Sequence, residues 1–214
     1  MVKKTDRRQI RTKQLLRQAL LECIEEKGID HVTVTDVAER ANLNRGTFYL
    51  HYRDVPDMLD TLMNERFEQV FSLVRLLDPR ELSQYAFAGE PYPKVLAIFE
   101  EVLRNADFFK VMLGPKGELS YAMQFRNLMS SHLFSKLEYI MPEGAPTLVP
   151  REYLVAYMTA ANFGMVLHWI QNGFRETPYQ MALIATQLVN HGPIVSSGIR
   201  TVPRIEAPND APGS

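Results

Sequence analysis

Apolar residues return every three to four positions along most of the chain, and nowhere do they alternate for long. A return of that kind marks one buried stripe on a helix, whereas alternation would mark a half-buried strand. Over residues 7–27 the pairs Leu15/Leu16, Ala19/Leu20 and Cys23/Ile24 make such a stripe, and Gly28 follows as a stop signal. A second helix is predicted after Thr33, whose hydroxyl can cap free amides, with Asp36 in the first turn favoured by the helix dipole. Val34, Val37, Ala38 and Ala41 form its buried side, and it stops in Asn42-Leu43-Asn44. A short helix follows over 45–51 with Asn44 as its N-cap. Asp54 opens a fourth helix, in which Met58, Leu59, Leu62, Met63, Phe67, Val70, Phe71 and Val74 keep helical spacing.

Helical patterning continues over 93–105, 118–139, 150–173 and 178–195. The breaks at 88–93, 114–117 and 141–150 are rich in glycine and proline. Thr177-Pro178-Tyr179-Gln180 combines an N-cap, a proline in the first turn and a glutamine three residues after the cap, a strong helix start. No convincing strand or hairpin signal intervenes, so the expected fold is all-α. The expected organisation is a head of short helices over 1–53, a connecting helix over 54–77, a helical body over 78–197 and a disordered, proline-bearing tail over 198–214.

Composition adds limits. With 46% hydrophobic and 23% charged residues the chain can bury an ordinary core. The single cysteine, Cys23, allows no intramolecular disulfide or cysteine-rich metal site, and it falls on an apolar stripe. No run approaches the ~20 apolar residues that a membrane span needs. The polar first ten residues lack the apolar segment of a signal peptide, so a cytoplasmic location without membrane contact is expected. Net charge is −1, but residues 1–53 hold 11 Lys/Arg against 7 Asp/Glu, while the remainder is acidic. A basic head on an acidic body suits a chain that presents one end to phosphate.

The segment 33–51 then carries the functional reading. Two short helices joined by a tight turn let the second lie in a DNA major groove while the first braces it. Asn44 and Arg45 stand at the start of that second helix, Gly46 lets backbone approach DNA, and Thr47 offers a hydroxyl and a methyl to base edges. Tyr49, His51, Tyr52 and Arg53 have polar or cationic tips suited to phosphates. Phe48 and Leu50 read as packing residues; Tyr52 can serve packing or the DNA backbone; His51 can instead cap the helix end. Arg7, Arg8 and Arg11 are either a solvated face or an arm over phosphates.

Thr33-Val34-Thr35-Asp36-Val37-Ala38-Glu39-Arg40-Ala41 followed by Asn44-Arg45-Gly46-Thr47-Phe48-Tyr49-Leu50-His51-Tyr52 resembles the signature of TetR (tetracycline-repressor-like) regulators, at motif level over about 8–60. The resemblance implies a sequence-specific DNA-binding regulator, most simply a repressor that binds a pseudo-palindromic operator as a homodimer and is released by a small-molecule effector. It implies a DNA contact at Thr35 on the supporting helix, base contacts at Arg45, Gly46 and Thr47, and phosphate contacts at Tyr49 and His51; Thr33 and Asn44, the caps of the two helices, are further candidates for DNA contact. Many members carry a phosphate-contacting lysine at the start of the fourth helix. Here that stretch reads Asp54-Val55-Pro56, and the role is assigned to Arg53 instead.

The rest of the chain resembles, less specifically, the body that this family uses for dimerisation and ligand binding, on Phe108-Phe109-Lys110-Val111-Met112-Leu113 and the stretch from Asn172-Gly173-Phe174 to Met181. Ala156, Ala160, Gly164 and His168 form a row of mostly small residues at every fourth position, flanked by Tyr153, Tyr157 and Leu167. With Met181, Ile184, Ala185 and Leu188 they would form a four-helix dimer seam, or else the core of one subunit. Phe99, Leu103, Phe109, Met112, Phe125, Met129 and Trp169 are candidates to line a pocket for an apolar effector, or are ordinary core. No catalytic motif emerges, His132, His168 and His191 are isolated, and no enzyme activity, cofactor or metal is expected.

Overall fold

The computed structural model describes residues 4–114, 116–117, 119–140 and 149–197. Among these residues there is no strand. The helices run α1 (Lys4–Lys27), α2 (Val34–Arg40), α3 (Arg45–Tyr49), α4 (Val55–Val74), α5 (Pro79–Ala88), α6 (Pro93–Arg104), α7 (Ala106–Met112), α8 (Leu119–Ile140), α9 (Arg151–Gln171) and α10 (Pro178–Ser196). The chain is all-α, as its periodicity predicts. The proline-bearing tail lies outside the described residues, as do 141–148.

Local chemistry sets most boundaries. Thr33 and Asp36 form a reciprocal capping box on α2, and Thr177 and Gln180 form another on α10. Asp54 accepts from the Asp57 amide at 2.8 Å to start α4, and Asp78 accepts from the Arg80 amide at 2.8 Å to start α5. α10 is not continuous: Gly192 at φ 68 and Pro193 interrupt it near its end.

Two helices escape the sequence reading. α5 begins at Asp78-Pro79 and ends at Gly89, whose φ of 71 gives the left-handed stop. α7 follows α6 after Asn105 alone, so the apolar period runs through the break without marking it.

The core is continuous from head to body. Leu16, Leu20 and Ile24 of α1 meet Val37, Phe48 and Met58 in the head, and the same cluster extends to Phe99, Phe108, Met112, Trp169 and Ile170. Cys23 lies within it as expected. In the body, α6 packs on α10 and α4, α5 packs on α10, and α8 on α9. The buried Thr186 hydroxyl on α10 accepts from the Tyr92 amide at 3.1 Å and donates to Ala182 O at 2.7 Å. Neither group is therefore buried unsatisfied.

The head is also tied to the body by the turn after α7. Lys116 Nζ donates to the carbonyls of Glu25 and Glu26, and Lys116 O accepts from the Ile29 amide at 3.3 Å. A cation on the last carbonyls of α1 offsets both their lost hydrogen bonds and the negative end of the helix dipole. That turn requires glycine: a Cβ at Gly117 would stand 2.0 Å from Met112 O, and one at Gly114 would stand 2.4 Å from Lys110 O.

Candidate DNA-reading face

The recognition unit is built from α2, its turn and α3. The Thr33 hydroxyl accepts from the Asp36 amide at 3.3 Å, while Asp36 accepts from the Thr33 amide at 2.9 Å and hydroxyl at 2.7 Å. Lys27 at the end of α1 bridges to the same carboxylate at 2.8 Å. Hydrogen bonding to Lys27, then to Thr33, holds the Asp36 carboxyl down at about 2. The supporting helix is thus stapled to α1 at the end nearer the turn from α1.

The turn is equally determined. Asn42 adopts φ 53, a left-handed position that asparagine tolerates, and the Leu43 amide returns to Ala38 O at 2.9 Å. Asn44 Oδ1 accepts from the Gly46 amide at 2.9 Å and starts α3. Phe48, fully buried, anchors α3 against the head core and meets Tyr49 edge-on at 5.8 Å. With Phe48 inward, Arg45, Gly46 and Tyr49 are left exposed and Thr47 half-buried. Tyr49 is 58% exposed.

Several candidate residues lie elsewhere than expected. Leu50 is not a packing residue: at 81% exposure it stands beside Tyr49 on the outer face, because α3 ends at Tyr49 and Leu50 is its C-cap. Tyr52 is 4% exposed and packs against Phe48 with ring centres 5.8 Å apart. Desolvation raises its phenol to about 12. Packing therefore wins over DNA contact at Tyr52. Arg53 is exposed, but its guanidinium bonds Asp57 Oδ1 at 2.9 Å and 3.3 Å, and its amide bonds Asp57 Oδ2 at 2.8 Å. Its charge is already met within the chain. Thr33 spends its hydroxyl on the cap, and Thr35 is half-buried on α2.

His51 is half-buried just past α3, and burial, followed by the nearby charge of Lys13, lowers its pKa. It is therefore a neutral ring at pH 7, able to donate a hydrogen bond to phosphate without carrying charge. Arg7, Arg8 and Arg11 are all exposed on α1.

Two sequence profiles match this chain. One, described as "Bacterial regulatory proteins, tetR family", covers residues 16–60 and so contains the whole recognition unit. The other, described as "Transcriptional regulator C-terminal region" of the same family, covers residues 89–191. The chain belongs to the TetR family.

The two matches place the chain among transcriptional regulators of that family. It is 29% identical over 104 residues to YxbF and 32% identical over 57 residues to YvdT, both uncharacterized HTH-type transcriptional regulators of Bacillus subtilis (strain 168). Those matches cover 48% and 25% of this chain but only 26% and 29% of the relatives' own lengths. Among solved structures, a TetR transcriptional regulator from Streptococcus agalactiae superposes with a TM-score of 0.59 at 19% identity, over 86% of this chain and 97% of that one. The fatty acid degradation regulator FadR from Bacillus halodurans gives 0.57 at 14% identity, over 85% and 95%. At such identities the likeness is one of fold.

In the body of this TetR-family chain, Ala156, Ala160, Gly164 and His168 are exposed along one row of α9, with Tyr153 and Tyr157 beside them. Ile184 and Leu188 of α10 are exposed as well, whereas Met181 and Ala185 face the interior. His168 Nε2 lies 2.7 Å from Asn172 Nδ2. The alternative that this row is one subunit's core is therefore not what the chain does.

Among the pocket candidates, Phe99, Phe109, Met112 and Trp169 are buried, and Met129 is half-buried against the core. Trp169 meets Phe99 at 5.3 Å and Phe174 at 4.9 Å, both edge-on, and its indole donates to Glu176 O at 2.9 Å. Leu103 does not join them: it is 37% exposed, and Val102 takes the inward position on α6. The side chain of Phe125 lies outside the described residues. No described helix is long and apolar enough to cross a membrane.

Proposed function

We propose that this chain is a cytoplasmic repressor that reads a pseudo-palindromic operator as a homodimer and lets go when a small molecule binds its body. The observation that carries the reading is the outward face of α3. Arg45, Tyr49 and Leu50 stand clear, with Thr47 half-buried among them, while Phe48 and the Asn44 cap anchor the helix beneath. Rigid placement matters because base-edge hydrogen bonds reward geometry within a fraction of an ångström. In this reading Arg45 and Thr47 meet base edges, Leu50 adds an apolar contact for a thymine methyl, and Tyr49 and His51 hold phosphates. Thr33 and Thr35 would approach the backbone from α2, Gly46 would let DNA come close, and Asn44 would offer its remaining amide donors.

A five-residue helix touches few base pairs, so specificity requires two copies one helical turn apart. The row of mostly small residues on α9, with Ile184 and Leu188, supplies a face through which two copies would meet. An apolar effector would have to open the Phe99–Trp169–Phe174 stack, since these rings fill the space they surround. The effector must prefer the dimer geometry that misses the half-sites, because equal affinity for both states shifts nothing.

A gel shift with genomic fragments, followed by footprinting, tests the reading. A protected pseudo-palindrome, and loss of protection at both half-sites in Arg45→Ala, is expected. Binding without sequence preference, or protection of a single unpaired half-site, would overturn it.

A further inference from the structure

Arg66 on α4 is unusual for a charged side chain. Its Nη1 donates to Gln69 Oε1 at 2.7 Å, yet its Nε is buried and has no hydrogen-bond partner. None of the ion pairs among the described residues involves it. Nearby, Arg17 of α1 lies over the Phe108 ring at 5.8 Å, and burial, then the charge of Arg66, lowers its pKa. Asp107 and Glu65 oppose that effect only in part. Two guanidinium groups thus crowd one junction of α1, α4 and α7 without a carboxylate bonded to either. A buried donor left unmet in a native fold calls for a missing partner.

Arg66 also lines a groove of about 410 Å³ between α4 and α6. Gln69 and Ser72 continue the α4 wall, and Glu101, Arg104 and Asn105 form the other. Glu101 is already engaged: Arg104 bridges to it, and Asn105 Nδ2 donates to its carboxylate at 2.8 Å. The groove therefore holds two guanidinium groups against one satisfied carboxylate. Its volume falls in the range of small-molecule sites.

We propose that this groove is a binding site for a small organic anion, whose carboxylate or phosphoryl group is held by Arg66 from α4 and completed by those guanidinium donors of Arg104 on α6 that do not bond Glu101. The planar guanidinium fork matches such groups with paired, charge-assisted hydrogen bonds, and a lone water would leave the charge unmet. An anion there clamps α4, the helix that directly follows the recognition unit, to the body. Only this last link, that occupancy alters operator affinity, rests on the repressor reading above.

The test uses the full chain without DNA. Arginine side-chain NMR follows the Arg66 and Arg104 Nε–H signals, assigned by their loss in Arg66→Lys and Arg104→Lys and each read where the other residue is replaced, while benzoate, phenyl phosphate or neutral benzamide is added at constant ionic strength. Saturable shifts with an anion and none with benzamide are expected, and the tighter of the two anions identifies carboxylate or phosphoryl as the preferred group. Arg66→Gln and Arg104→Gln should each weaken the anion at least ~tenfold, near 1.4 kcal/mol. Arg45→Gln on the DNA face should leave it unchanged. If Arg66→Gln does not fold, Arg66→Lys, which keeps the charge but not the fork, and Arg104→Gln decide the matter. No saturable shift up to about 10 mM of either anion, an affinity below the weakest useful range, would overturn the site. So would affinity lost in Arg45→Gln but kept in Arg66→Gln. Operator affinity is then measured with saturating anion: a change supports the clamp, and no change overturns the clamp while the site stands.

Discussion

Replacing Gly164 by glutamate separates two states of α9 by their opposite responses. In the isolated subunit the position is open: a Cβ built there meets nothing within 4 Å, and the residue is exposed. A glutamate in that helix should therefore cost one subunit nothing, and it gains about 0.5 kcal/mol of helix propensity over glycine. In a two-fold dimer through the same row, each copy brings one carboxylate into the seam. An uncompensated buried charge costs roughly 3–5 kcal/mol, and the row carries no lysine or arginine to meet it. Even one such penalty raises the dimer dissociation constant more than ~100-fold. Gly164→Gln, equal in size but neutral, isolates the charge from the bulk. Sedimentation velocity across a concentration series reads the association, and thermal melting reads the subunit. Expected are an unchanged or raised melting temperature under monomeric conditions, loss of the dimer in Gly164→Glu, and a milder loss in Gly164→Gln. A Gly164→Glu protein that stays dimeric at wild-type affinity would refute the seam, whatever its stability.

Three further outcomes follow from the recognition unit. Because the Asp36 carboxyl is lowered from 3.8 to about 2, its stabilisation is present above the ordinary carboxylate range and lost as pH falls through about 2. Asp36→Asn should cost about 1 kcal/mol in urea melts at pH 7, and the gap from wild type should close between pH 4 and pH 2; a gap that does not vary with pH contradicts the assignment. Tyr52→Ala should destabilise the head by roughly 3–5 kcal/mol, whereas Tyr52→Phe should keep operator affinity in a binding titration, because the ring packs and does not touch DNA. Arg53→Gln should weaken operator binding far less than Arg45→Gln, since Asp57 already holds Arg53; an equal loss would return the phosphate role to Arg53.

What the sequence made legible follows the range of the forces involved. Caps act within three residues, so Thr33/Asp36, Asn44, Asp54 and Thr177/Gln180 announce four helix starts without any knowledge of the fold. Asp78-Pro79 and Gly89 mark α5 by the same chemistry, but its apolar residues, Leu82 and the run Tyr85-Ala86-Phe87-Ala88, make no repeated helical stripe. At Leu50 two residues of helix length decide the outcome: a helix running to His51 would make it a packing position, but α3 ends at Tyr49 and leaves it an outward C-cap. The Arg53–Asp57 pair, four residues apart on one chain, was readable in principle as a helical ion pair. The contact between Thr186 and Tyr92, across 94 residues, had no local signal at all, and neither did the exposure of the Ala156–Gly164 row. Small residues at every fourth position suit a subunit core and a subunit seam equally, until the packing of α8 and α7 on α9 shows which faces are already taken.

The central claim is that the outer face of α3 reads DNA, and paired titrations of Thr47→Ala and Tyr49→Ala test it most directly. Each variant is titrated against the footprinted operator, against operators altered one base pair at a time, and against random DNA at fixed salt. Thr47→Ala should lose about 1–3 kcal/mol of discrimination at one position of each half-site and leave random DNA unaffected. Tyr49→Ala should weaken operator and random DNA together, since a phosphate contact carries no sequence information. Wild-type affinity and wild-type base preference in both variants would contradict the claim that α3 is the reading helix.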